Sequence, residues 1–334
     1  MLKKGLSLGL AIVLACVLVI GCAPTPPEEG VTPAAPTVLK IGTGPVGGYW
    51  FPGGAVLAQI INMYVEGVNA SPTLGGGVAN IKDINAAKMQ IGYTYGFSAA
   101  DAMVPRLPFE EKQGNIRALT NMYMTPFQIL VVRAKNINTL EDLKGKNYSA
   151  GPEGFSGKII ADRILEEVGM TYDDLGNVSF VGYSDGALAM KDGHLDCYPC
   201  ITAAPSAAFL DTATTLPLDL LQLDPEFMKM YEEKYGMGEW TIPADTYPGS
   251  KETVCLASSA MFIISKDLPE DLVYEITKAF WEHYTDFHKV QKALEEQTIP
   301  ENALKGFAIP LHKGAYKYYK EQGYEIPAAL MPVD

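Results

Sequence analysis

Residues 40–61 read KIGTGPVGGYWFPGGAVLAQII, an apolar strand that empties into a glycine-rich turn, an aromatic trio and then a helix. Glycine accepts backbone angles that other residues avoid, so Gly42, Gly44, Gly47 and Gly48 can aim several N–H groups at one point. The helix, expected to open near 52–54, adds its own unpaired N–H groups and the positive end of its dipole. No Lys or Arg lies between Gly42 and Leu57. An anion bound here would be held by backbone and by Thr43, beside a wall of Tyr49, Trp50 and Phe51.

The same plan of strand, glycine turn and helix recurs. Residues 69–74 read as a strand entering Gly75, Gly76 and Gly77, and 78–87 as a helix with Val78, Ile81 and Ile84 on one face. Asn80 either caps that helix or touches a ligand. A short strand at 90–95 ends in Tyr95, with Phe97 just beyond. A strand at 148–150 enters a turn over 151–157 that holds Gly154, Phe155, Ser156 and Gly157, and Thr202 and Pro205 follow a strand at 196–201. For Trp50, Phe51 and Phe155 the competing role is core packing; for Tyr49 it is a surface position, and for Thr202 and Pro205 a plain turn. Such βα repeats imply a parallel sheet with its glycine turns at the carboxyl ends of the strands, where open α/β sheets bind ligands.

Residues 1–22 carry Lys3 and Lys4, an apolar run and small residues ending at Cys22, the layout of an export signal. The apolar run is nearly long enough to span a membrane instead. Val19-Ile20-Gly21-Cys22 resembles the lipobox of bacterial lipoproteins, which would make Cys22 the lipidated first residue. Residues 23–37, rich in Pro, Ala and Thr, have little to bury and read as a semi-rigid spacer. The expected location is the cell envelope, outside the cytoplasm and anchored by lipid. The formal charge of −13 becomes more negative once Lys3 and Lys4 leave with the leader, which argues against a nucleic-acid partner. Local fields in a pocket can oppose net charge, so an anionic ligand stays open.

Catalytic signatures are sparse: the chain has no H-E-x-x-H, and Ser156 has no identifiable base. A binding protein without chemistry, cofactor or metal is expected. Cys197 and Cys200 match C-x-x-C, and a redox pair, a structural disulfide and buried free thiols all remain open. His283 and His288 fall on different faces of a helix, which argues against a metal pair. Of the arginines, Arg106, Arg117, Arg133 and Arg163, only Arg133 falls near an expected hinge, where it could clamp a carboxylate. A rival reading takes Gly42, Gly44 and Gly47 as a G-x-G-x-x-G dinucleotide fingerprint with Glu66 as the ribose acid. That reading would make the chain an oxidoreductase.

About 48% of the chain is hydrophobic, enough for two α/β lobes. Strands are expected at 116–123 and 127–133, a helix at 185–191 and an apolar strand at 253–265, followed by helices that return to the first lobe. The resulting fold class is α/β in two lobes. Its first lobe comprises 38–124 and the returning 254–334, its second 125–253, and a ligand cleft lies between them.

Several segments in this order resemble the TAXI family of solute receptors for tripartite ATP-independent periplasmic (TRAP) transporters: IGTGPVGGYWFPGG, GGGVANI, LEDLKGK, GPEG, DGHLD, IPADTYPG and PLHKGAYKYYKEQG. The resemblance implies a two-lobed receptor of α/β type II periplasmic-binding-protein architecture that hands a small carboxylate to a membrane permease driven by an ion gradient. His312, in the last segment, is read as structural. The departures bear on the ligand. Val46 and Trp50-Phe51 stand where the family has Thr and Tyr-Tyr, and Gly77 where it has Ser, with Asn80 retained. Tyr95-Gly96-Phe97 replaces a polar segment, and Phe155 enters a turn of small residues. Hydroxyl donors have given way to glycine and rings, so the expected ligand is an apolar or aromatic monocarboxylate. A ligand-binding sensor lipoprotein would share the same cleft.

Overall fold

The computed structural model describes residues 36–333; the leader, Cys22 and nearly all of the spacer lie outside the described residues. The chain starts with three strand–helix units, β1 (Thr37–Gly42), α1 (Trp50–Tyr64), β2 (Val68–Thr73), α2 (Gly77–Asn85), β3 (Ile91–Tyr95) and α3 (Gly96–Met103). β1 lies between β2 and β3 and runs parallel to both, as helical crossovers require. Its exposed Val38 and Lys40 alternate with fully buried Leu39 and Ile41, whereas β3 is buried on both faces. α1 opens at Trp50, earlier than expected, because Pro52 falls in the first turn, where its missing N–H breaks no bond.

Next come β4 (Ile116–Val132), β5 (Tyr148–Ser149), α4 (Ser156–Glu167), β6 (Val178–Ser179), α5 (Tyr183–Lys191), β7 (Cys197–Ile201) and α6 (Ala207–Ala213). β8 (Leu218–Leu220), α7 (Pro225–Tyr235), β9 (Gly238–Ile242), β10 (Thr253–Ser265), α8 (Glu270–Glu282), α9 (Thr285–Val290) and α10 (Lys313–Glu321) complete the fold. The strand order is β2-β1-β3-β10-β4-β7-β5-β6, with β8 on β4 and β9 on β10. The sheet is mixed rather than parallel throughout: β10 runs antiparallel to β3 and β4, and β4 antiparallel to β7. β4 is one strand of 17 residues where two were expected. It pairs with β10 as far as Pro126 and with β7 from Phe127. Pro126, which has no N–H to donate, sits where the strand changes partner.

The carboxy-terminal helices pack on the first half of the sheet. Trp281 Nε1 donates to Tyr319 Oη at 2.9 Å, and Tyr319 Oη donates to Leu119 O at 3.1 Å, tying α8 and α10 to β4. His312 Nδ1 accepts the Gly314 N–H at 3.1 Å and so caps α10, and burial holds the imidazole below its ordinary pKa. His283 stacks on Tyr64, and the His288 ring meets Thr298 O at 3.0 Å. Among the described residues, no group of three or more His, Cys, Asp or Glu is placed to hold a metal, and no helix is long and apolar enough to cross a membrane.

Cys197 and Cys200 are buried free thiols on β7. Three positions apart on a strand, they point to opposite faces, which rules out the disulfide and leaves no redox pair. Burial raises both thiols and pushes Cys255 up to about 12. The two halves of the sheet also meet where α3 packs on α4. There Asp101 accepts from Arg163 Nη2 at 2.7 Å and from Arg106 Nη1 at 3.1 Å, and Arg163 Nη2 donates to Leu107 O at 2.9 Å. The Asp101–Arg163 pair is almost fully buried, with side chains 2% and 8% exposed.

Asp101→Ala strands the Arg163 guanidinium without its counter-charge and should lower stability by about 3–5 kcal/mol. The readout is the urea midpoint at unchanged slope; a loss under about 1 kcal/mol would mean that the pair behaves as a solvated one. Cys197, Cys200 and Cys255 should be silent to a thiol reagent in the native protein and react in guanidinium, while reductant leaves the melting temperature unchanged.

Candidate ligand-binding site

The turn after β1 rests on buried side chains. Asn80, on α2, donates its side-chain amide to Thr43 O at 2.9 Å and to Tyr93 O at 2.8 Å, pinning the turn to β3. A Cβ on Gly42 would lie 2.4 Å from Asn80 Oδ1, so only glycine lets the amide pass beneath the strand end. Thr43 donates its hydroxyl to Thr73 O at 2.9 Å. Both side chains, expected at the ligand, hold the turn. The chain then bends at Gly47, whose φ is +89°, and reaches Tyr49.

Three helices begin beside one another: α1 after Tyr49, α2 after Gly76 and α4 after Phe155, none capped by a side chain. Their amino ends carry unpaired N–H groups and positive dipole ends. They border a tight cavity of about 20 Å³. Gly48, Gly76, Gly77 and Gly157 give it bare backbone surfaces; Tyr49, Trp50 and Tyr95 form one aromatic wall. Phe155 and Tyr183 form the other, and Pro45, Ser156, Ile201 and Thr202 complete the lining, in which no side chain is charged.

Trp50 stacks on Tyr93 and on Tyr95, with centroids 5.0 Å and 4.5 Å apart. Tyr95 and Tyr183, from opposite halves of the sheet, each donate a hydroxyl to Ile201 O at 2.8 Å. Burial raises both phenols well above their ordinary range, so they stay protonated. Ser156 Oγ shares a 3.0 Å hydrogen bond with Ser98 Oγ.

Contacts across the cavity are tight. Ala79 N–H donates to Gly154 O at 3.1 Å, and Ser184 Oγ to Val46 O at 3.3 Å. A Cβ on Gly76 would fall 2.6 Å from Phe155 Cδ1 and 2.7 Å from Gly154 O. One on Gly77 would fall 2.2 Å from Ser156 Oγ. The glycine standing where the TAXI pattern has serine thus makes room for the start of α4.

Some expected residues lie elsewhere. Phe51 is 39% exposed and outside the lining. Phe97 is buried behind Tyr95, their rings 6.2 Å apart. Gly154 offers its carbonyl to Ala79, while Gly47 and Pro205 line an adjoining pocket that shares Gly48, Tyr49 and Thr202 with the first. Conversely, Pro45, Tyr183 and Ile201 belong to the cavity without having been singled out. Tyr183 opens α5 straight after Gly182, the glycine-to-helix signal again; starting that helix at Asp185 hides it.

Arginine takes no part in the lining. Arg133 grips Asp219, with Nε and Nη2 3.0 Å and 2.9 Å from its carboxylate, and donates to Gly249 O at 2.7 Å. The dinucleotide reading fails on placement. Glu66 follows the far end of the 15-residue α1, about 22 Å along the helix from the glycine turn, so it cannot meet a ribose there.

A family model described as NMT1-like matches residues 41–323. Among solved structures, PhnD1 from Prochlorococcus marinus in complex with methylphosphonate aligns with a TM-score of 0.52 and 11% identity, over 86% of this chain and 98% of that one. A Streptococcus mutans chain, described under glutathione import via GshT and the cystine ABC importer TcyBC, aligns with a TM-score of 0.50 and 12% identity, over 80% and 98%. At such identities the likeness speaks to the fold, which is the α/β type II periplasmic-binding-protein fold with its ligand cleft. The chain belongs to the NMT1-like family and has the fold of solute-binding receptors.

Proposed function

We propose that the chain is an extracytoplasmic receptor that captures a small carboxylate with an apolar or aromatic body and delivers it to a membrane permease. The observation that carries this reading is the meeting of three uncapped helix starts at one cavity walled by rings and free of charged side chains. A hydrogen bond to a charged group is worth about 1.5–3 kcal/mol, so two or three backbone donors offset the desolvation of one carboxylate. The rings then favour an apolar body by about 1.5–3 kcal/mol. At about 20 Å³ the cavity admits little more than a water in this closed form, so the two halves part to take in even a small acid.

The ordered segments that resemble TAXI receptors support a permease of the tripartite ATP-independent type. The leader ending at Cys22 supports a lipid anchor at the outer face of a membrane. In this reading the lobes are 38–124 with 254–334, and 125–253, and they close over the ligand.

Mass spectrometry of what the native preparation releases on denaturation should find a monocarboxylic acid. On the stripped, refolded protein, phenylacetate should raise the melting temperature while glutamate and oxoglutarate leave it unchanged; the opposite order sinks the ligand class. Gly76→Ala, at an ordinary extended backbone position (φ −168°), should clash only where α2 meets α4. It should weaken binding of the released acid at least about tenfold, with a cooperative melting curve of the stripped variant showing that it is folded. Unchanged affinity would mean that α2 and α4 do not meet in the bound form.

A further inference from the structure

The cavity at the three helix starts has no space for the body of an acid, but the pocket beside it does. Gly48, Tyr49 and Thr202 line both, and the neighbour holds about 260 Å³ against about 20 Å³. Its walls come from the first glycine turn and the start of α1, from the loop between β7 and α6, and from the end of α9. Both halves of the sheet therefore bound it, as they bound the tight cavity.

The chemistry of these walls is mixed in a particular way. Pro52, Ala203, Pro205 and Val290 give an apolar surface, and no side chain of the lining is charged. Val290 is 42% exposed. Two hydroxyl-bearing residues of the same lining are more than nine-tenths buried, Tyr49 at 7% and Ser206 at 3% exposure. Neither Tyr49 Oη nor Ser206 Oγ has a hydrogen-bond partner among the described residues. Ser206 stands just before α6 without capping it, and its N–H is engaged separately by Tyr247 Oη at 3.0 Å. A buried hydroxyl left unpaired is costly, so a ligand group that pairs with it gains what the protein alone forgoes. A charged group would find no counter-charge here, whereas a neutral hydroxyl can both give and accept.

We infer that the ligand is an elongated hydroxy monocarboxylic acid, its carboxylate at the helix starts, its body in the side pocket and its hydroxyl at Ser206 and Tyr49. This rests on the carboxylate reading above and deepens it by giving the body a place, a length and one polar group.

The test is calorimetry on stripped, refolded protein with propanoate, hexanoate, and hexanoate carrying a hydroxyl at carbon 4, 5 or 6. Hexanoate should bind at least about tenfold more tightly than propanoate, and one of the hydroxy acids about two- to tenfold more tightly again. Ser206→Ala and Tyr49→Phe should each reduce the hydroxyl preference. Ala207→Phe and Val290→Trp, which fill the side pocket from two exposed positions, should erase the advantage of hexanoate over propanoate. Melting curves report which variants are folded, and either filling variant suffices. Equal binding of propanoate and hexanoate overturns the inference and leaves the carboxylate reading intact. So does a length advantage that survives a folded filling variant, a hydroxyl preference that is absent or survives both hydroxyl deletions, or binding of phenylacetate when no straight-chain acid binds. Failure of every acid, phenylacetate included, overturns both readings together.

Discussion

Three helix starts can face one small cavity only if backbone stands where side chains would otherwise meet. At the crossing of α2 and α4 this limit is sharp: a single methyl at Gly76 would press into both the ring of Phe155 and the carbonyl of Gly154. Beneath the first turn the same limit applies at Gly42, where the buried amide of Asn80 occupies the space a side chain would need. The glycines are therefore requirements of packing as much as of backbone angle, and the aromatic walls stand on a frame with no slack.

The two halves of the sheet are also linked by different kinds of contact at different depths. At the cavity they meet through weak, neutral bonds: Tyr95 to Ile201, Ala79 to Gly154, and the shared Ser98–Ser156 bond. Farther along α4 they meet through a buried ion pair, Arg163 with Asp101, which is costly to separate in a dry setting. Ser156 and Arg163 lie seven residues apart on one helix, so the charged contact sets the rotation of the helix whose first turn borders the cavity.

Much of the fold was legible because glycine turns punctuate it. The strand and helix after each turn followed from apolar alternation and spacing, and β10 fell where its long apolar run placed it. The order of antiparallel strands in the middle was not legible, since pairing between β4 and β10 is a long-range choice that local pattern does not encode. Pro126 looked like a break and is a change of partner. In the site, ring-bearing turns pointed to Trp50, Tyr95 and Phe155, but side-chain direction was out of reach. Asn80 and Thr43 turned inward to hold the turn, Phe51 turned outward, and Tyr183 was missed by a helix started two residues late. For C-x-x-C, strand parity decided what composition could not.

β4 has one further consequence. An uninterrupted strand of 17 residues reaches roughly 55 Å, and it is hydrogen-bonded in turn to β10 and to β7. Sliding one half past the other would break a ladder on one side or the other, whereas torsion about Thr125 and Pro126 disturbs only the last rungs with β10, at Ser258 and Ala257. The proline there has no amide to lose, which makes this step the softest point of a stiff rod. Such a molecule behaves as a torsion spring, able to gape or shut by twisting while the rungs away from that step stay made.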